Sequence, residues 1–183
     1  QLLAKNPDSL DACDISPFLL QIVKEEHPSV NVKEADLMQT WPYPDNAFDM
    51  VLAYNVIMDL PSIDTAIKEM HRVLKRGGTA HVVMVHTLYN LFFNDKRATS
   101  ETLPQRLARY VKEESLLVDT VPGYDQFLVY RRPPSAYVNA FIQNGLQLVE
   151  MREVIVDEKV ADFPKYVERM GAPLFAYYIL KKT

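Results

Sequence analysis

Between residues 48 and 86 the chain sets out one apolar run, one amphipathic stretch and a second apolar run, joined by short turns. The first run, Phe-Asp-Met-Val-Leu-Ala-Tyr at 48–54, has too little polar alternation for a strand with one wet face. It reads as a strand covered on both sides, the condition of a parallel sheet. Residues 63–74 put Ile67, Met70, Val73 and Leu74 on one helical face. Gly77-Gly78 then reads as a helix stop, and residues 79–86 as the next strand. Strand, helix and strand with short joints make a βαβ unit, which predicts an α/β fold with a mostly parallel, doubly wound sheet.

The same rhythm precedes this unit. Residues 10–14 form a short strand ending at Asp14. Ser16-Pro17 opens a helix, with Ser suited to the cap and Pro to the first helical position. Residues 30–33 form another strand, followed by Ala35-Asp36-Leu37. The rhythm breaks after His86. Residues 87–135 read as an insertion or cap folded over the sheet edge, helical over 103–117 and with a Tyr-rich loop. A surface excursion remote from any ligand is the alternative. Beyond it, 137–144 predicts a helix stopped by Gly145, 147–156 a strand, 164–170 a helix and 174–180 a final strand. A single domain over 1–183 is expected.

Composition narrows the function classes. With 48% hydrophobic and 24% charged residues among 183, disorder is not expected. The net charge is −4 and no basic block exceeds a pair, so a nucleic-acid surface is not expected. The lone cysteine, Cys13, rules out an intrachain disulfide and points to a reducing cytoplasm. No apolar run approaches the ~20 residues of a membrane span. His27, His71, His81 and His86 are too scattered for a metal site.

The candidate site residues lie at the carboxyl ends of the strands, where doubly wound sheets bind nucleotides. Asp14 can accept two hydrogen bonds from a vicinal diol, or it can simply favour the helix that follows. Asp36 and Leu37 end the next strand, and Asn55 and Val56 end the 48–54 strand. Asp59 is a candidate base or substrate anchor, or else it starts the next helix. His86 ends a strand at the same edge and is the other candidate proton acceptor. Tyr89, Tyr124 and Tyr130 are candidates for an acceptor pocket, although such stripes are more often core.

Three strings in this order carry a resemblance: Asp14-Ile15-Ser16-Pro17, Ala35-Asp36-Leu37, and Arg72-Val73-Leu74-Lys75-Arg76-Gly77-Gly78-Thr79 beyond the 48–56 strand. Together they resemble the second half of a class I S-adenosylmethionine (SAM) dependent methyltransferase of the type 11/12 kind. The resemblance implies a Rossmann-like seven-stranded sheet with an antiparallel last strand, SAM as methyl donor and a small-molecule acceptor. It implies Asp14 and Ile15 at the ribose, Asp36 at the adenine amine, Leu37 at the ring, and Asn55 and Val56 beside the methionine part. Members often carry a His pair past that turn, where this chain has Ile57-Met58-Asp59-Leu60. The family's first strand and Gly-x-Gly-x-Gly loop have no counterpart, since no glycine precedes Gly77. The chain is therefore expected to continue upstream of Gln1. A methyltransferase-like binding subunit without catalysis and an NAD(P)-dependent oxidoreductase are the two alternatives.

Overall fold

The computed structural model describes residues 9–95, 99–118, 127–156 and 169–183. In chain order they form β1 (Asp11–Asp14), α1 (Pro17–Glu26), β2 (Asn31–Glu34), β3 (Phe48–Tyr54), a 3-10 turn (Ile57–Asp59), α2 (Asp64–Val73) and β4 (Leu74–Val85). Next come α3 (Thr87–Tyr89), a π turn (Asn90–Asn94), α4 (Leu103–Tyr110), β5 (Glu114–Val118), β6 (Phe127–Arg131), α5 (Pro134–Gln143), β7 (Leu146–Ile155) and β8 (Pro173–Lys182). The main sheet runs β3-β4-β8-β7, and β1-β2 and β5-β6 form two further ladders. β1 pairs parallel with β2, and β3 with β4. β8, the last strand, is antiparallel to both its neighbours, β4 and β7. The α/β, Rossmann-like architecture read from the sequence is the one observed. No helix among the described residues is long and apolar enough to cross a membrane.

Alternation along β4 explains the core. Ala80, Val82 and Met84 are essentially fully buried and share one cluster with Ile67, Met70 and Val73 of α2, Phe141 of α5 and Tyr178 of β8. Each such aliphatic side chain contributes roughly 1.5–3 kcal/mol on burial, enough for these two helices and the sheet to hold one another.

Two expectations about local structure need correction. The helix at 63–74 does not end on Gly77-Gly78. Its last residue is Val73, and Leu74 is already extended. The final carbonyls find donors elsewhere: Asn46 N–H reaches Arg72 O at 3.0 Å and Ala47 N–H reaches Val73 O at 2.8 Å. The glycines instead belong to a bulge in β4. Phe48 pairs with Leu74 and Met50 with Thr79, so residues 75–78 stand opposite the single residue Asp49. Gly77 takes φ +79°, and a Cβ on Gly78 would meet Lys75 O at 2.9 Å and Asp49 O at 3.0 Å.

The second correction concerns the insertion. The helix expected over 103–117 stops at Tyr110, and residues 114–118 form β5, paired antiparallel with β6. The reason is tertiary. Leu116 is 6% exposed and its partner Val129 1%, both inside the main core, whereas Leu117 is 55% exposed. Period-two burial against the core overrides local helix propensity here. Tyr130 accordingly lies in a strand and not in a loop. Tyr124 and the 164–168 part of the expected 164–170 helix lie outside the described residues.

Candidate functional site

A cleft of about 330 Å³ opens between the carboxyl ends of β1, β2 and β3. Of the six residues assigned to a cofactor, Asp14, Ile15, Asp36, Leu37 and Val56 line it. Asn55 does not lie on its wall. It holds the turn beside Val56 with φ +51°, a conformation asparagine tolerates better than most residues, and its buried Oδ1 has no hydrogen-bond partner among the described residues.

Both acids are fixed by their own loops. Asp14 Oδ1 accepts from Ser16 N–H at 2.8 Å, and Ser16 Oγ in turn accepts from Leu19 N–H at 3.3 Å to start α1. Asp36 Oδ1 accepts from Met38 N–H at 2.9 Å. In each case the bond to the chain occupies Oδ1, while the carboxylate belongs to the cleft wall. The reading of Asp14 as a helix-starting residue and the reading as a ligand group are thus compatible.

The opposite wall was less legible. Trp41, buried at 6% exposure, and Leu60 line the cleft together with Tyr54 and the half-buried Cys13. Burial pushes the Cys13 thiol up, so it is protonated at neutral pH. Trp41 is held by an ion-pair network. Its N–H donates to Glu69 Oε2 at 2.7 Å, and its indole Nε1 to Leu37 O at 3.4 Å. Arg72 donates to Trp41 O, Tyr43 O, Asp45 and Glu69, at 2.7–3.1 Å. The Arg72 guanidinium holds the Glu69 carboxyl below the usual carboxylate range. The only signal for this wall in the sequence is a tryptophan set in the proline-rich loop.

The proposed proton acceptors diverge. His86 is fully buried and does not line the cleft. Its Nδ1 accepts from Leu88 N–H at 3.1 Å, which leaves Nε2–H to donate to Glu153 Oε1 at 2.9 Å. Burial pushes its pKa down against the opposing effect of Glu153. Both nitrogens are therefore engaged in structure. Asp59 is closer to the site, on the 3-10 turn that follows Val56. Its Oδ1 is buried with no donor among the described residues, and burial raises its pKa to about 6.

That shift predicts a pH dependence. The folded carboxyl keeps its proton up to about pH 6, whereas the unfolded one loses it near ~4. Folding therefore takes up protons in that window, and stability falls as pH rises through it. Asp59→Asn is expected to raise the urea midpoint at pH 8, with the gain vanishing at pH 4. Parallel urea curves for the two proteins at both pH values check this.

The tyrosines lie elsewhere. Tyr89 packs with Val156 and Leu174 in a small separate cluster, and its hydroxyl accepts from Arg169 at 2.5 Å. Tyr130 lies 5.6 Å from the Arg132 guanidinium. Neither lines the cleft.

What the cleft can do follows from its walls. Two acceptor carboxylates share the lining with the apolar side chains of Leu37 and Val56 and the planar ring of Trp41. A ligand with a hydroxyl-bearing part and a flat ring matches both. Comparison with known proteins points the same way. Residues 1–82 match the family model described as a methyltransferase domain. A demethylmenaquinone methyltransferase of Chlorobaculum parvum is 28% identical over 102 residues, 51% of this chain and 42% of that protein, so the match spans less than half of the relative. An S-adenosylmethionine dependent methyltransferase from Mesorhizobium loti shares the fold with a TM-score of 0.69 at 14% identity, covering 95% of this chain and 80% of that one. A SAM-dependent methyltransferase from Methanosarcina mazei gives 0.67 at 16% identity, covering 95% and 82%. The first 82 residues thus match a methyltransferase domain, and the fold is the one those SAM-dependent methyltransferase structures share.

Proposed function

We propose that the cleft holds the adenosyl part of SAM and that the protein transfers its methyl group to a small-molecule acceptor. The convergence of Asp14, Ile15, Asp36, Leu37 and Val56 on one cleft carries this reading. Asp14 would take the ribose diol, Asp36 the exocyclic amine of adenine, and Leu37 the ring. The sulfur would then point toward the turn at Val56 and Leu60. The walls fit such a group: the acids retain acceptor capacity beyond their Oδ1 bonds, and the apolar side chains suit a purine face.

When bound, SAM supplies a methyl carbon that is already activated by its sulfonium. The residues of this chain then have to hold the acceptor in line and keep water out. Val56, Ile57 and Leu60 give that end of the cleft an apolar lining. With the adenosyl part held by Asp14, Asp36 and Leu37, the acceptor would approach from the Val56 and Leu60 end, where transfer of the methyl carbon would leave S-adenosylhomocysteine in the cleft. An acceptor that carries a proton must lose it, and Asp59, which sits between the cleft-lining Ile57 and Leu60 without lining the cleft itself, is the group we assign to take it. The glycine-rich contacts to the methionine end are not supplied by residues 1–183, whose first glycine is Gly77.

Titration calorimetry with SAM, S-adenosylhomocysteine and NADH, run side by side, tests the proposal. Saturable heat with the first two and none with the third is expected. A methyl-transfer screen with labelled SAM then seeks the acceptor, starting with demethylmenaquinone, the compound in the relative's name. Binding without transfer to any acceptor favours a non-catalytic binding subunit. No heat and no thermal shift with SAM overturns the reading.

A further inference from the structure

Arg132, between β6 and α5, is 5% exposed and does not line the cleft. Its Nη2 donates to Leu60 O at 2.9 Å and to Pro61 O at 2.8 Å. Its own carbonyl accepts from Thr87 Oγ1 at 2.6 Å, and Glu113 Oε2 lies 3.4 Å from its Nε. The Tyr130 ring lies 5.6 Å from the guanidinium, and Tyr137 shares a side-chain hydrogen bond with it. Beyond the shared core packing of Leu116 and Val129 with Ile57 and Met58, Arg132 thus bonds the insertion to the backbone of the turn that provides Val56, Ile57 and Leu60 to the cleft.

Stability alone is a poor reason for a cation in this place. Burying a guanidinium carries a desolvation cost that a well-packed apolar side chain avoids. What an apolar side chain cannot do is bind two successive carbonyls and so fix the course of the 55–61 turn. Ile57 and Met58 anchor the turn in the main core, but few backbone bonds fix its course at Leu60 and Pro61. Its own backbone bonds are Asn55 N–H to Val83 O at 2.8 Å, Asp59 N–H to Val56 O at 3.0 Å and a longer one, Leu60 N–H to Ile57 O at 3.4 Å.

We propose that Arg132 is a positioning residue for the methyl-transfer end of the cleft. By holding the Leu60 and Pro61 carbonyls it sets the Val56–Ile57–Leu60 wall, so the insertion governs how the ligand fits beyond its nucleoside. The inference rests on the orientation given under the proposed function. A ligand confined to the Asp14 and Asp36 side should be indifferent to Arg132, while one that reaches the turn should not.

Two probes separate these regions: adenosine, and S-adenosylhomocysteine, which adds the amino-acid arm. In the full-length protein, Arg132→Met is expected to weaken S-adenosylhomocysteine about tenfold, equivalent to ~1.4 kcal/mol. Adenosine affinity should change less than about twofold, or ~0.4 kcal/mol. Arg132→Lys, which keeps a donor but loses the planar fork, should fall between wild type and Met. If Arg132→Met does not fold, the ratio of the two affinities in Arg132→Lys decides. An unchanged ratio, or equal weakening of both probes, overturns the inference while leaving the functional reading intact. Wild-type protein that binds neither probe overturns both.

Discussion

Asp14→Asn should weaken S-adenosylhomocysteine binding roughly 30-fold, the equivalent of ~2 kcal/mol of charge-assisted hydrogen bonding. Stability should hold within about 0.5 kcal/mol. The asymmetry arises because Asp14 has two tasks. Its Oδ1 accepts from Ser16 N–H and so shapes the entry to α1. An asparagine oxygen accepts the same bond. A vicinal diol asks for something an amide cannot offer, two acceptor atoms and a negative charge on one planar group. In Asp14→Ala both tasks fail, so binding falls and about 1 kcal/mol of stability goes with it, as for the loss of a helix-start acceptor. Calorimetry on the two variants, paired with urea curves, gives both quantities. If Asp14→Asn binds as tightly as wild type, the carboxylate is not at the ribose.

Arg72→Met, behind the cleft wall, should destabilise the protein by about 3 kcal/mol. Glu69 is only 6% exposed, and Arg72 is its cationic partner. Once the guanidinium is gone, Trp41 N–H still donates to Glu69 Oε2, but the buried charge is uncompensated. The carbonyls of Trp41 and Tyr43 lose their donor in the same step. Trp41 lines the cleft, so ligand affinity should fall with stability. Adding Glu69→Gln to Arg72→Met should restore part of the loss by removing the stranded charge. The acid limb provides a second check. Arg72 holds the Glu69 carboxyl below its unfolded value. The pair's contribution is therefore complete above ~4.3, the unfolded glutamate pKa, and is lost as pH falls through the lower folded value. Arg72→Met should flatten stability across that range. A variant that stays as stable as wild type at pH 7 would show that the network carries no weight.

The sequence made some of this legible because the signals are local. The strand at 48–54, the stripe of Ile67, Met70 and Val73, and the acids at or after the ends of β1 and β2 each depend on neighbours a few residues away. The cover expected on both faces of that strand is not observed among the described residues, since Met50, Leu52 and Tyr54 are 41%, 46% and 58% exposed. The 75–78 bulge did not show, because the donors that end α2 come from Asn46 and Ala47, some 26 residues earlier. β5 was mistaken for helix because the burial of Leu116 depends on Val129 and the distant core. His86 looked available at a strand end, but its ring is held by Glu153, 67 residues later. Trp41 and Arg132 were missed for the same reason: their roles come from Glu69, Arg72, Leu60 and Pro61, contacts that periodicity does not register.

The β5-β6 hairpin has a consequence for how such a protein can change. Leu116 and Val129 are buried in the same apolar mass as α2 and β4. Swapping the hairpin for that of a homologue would thus disturb the interior before it altered selectivity. Exchanges on its outer face, where Leu117 and Leu128 stand in solvent, should leave that interior intact.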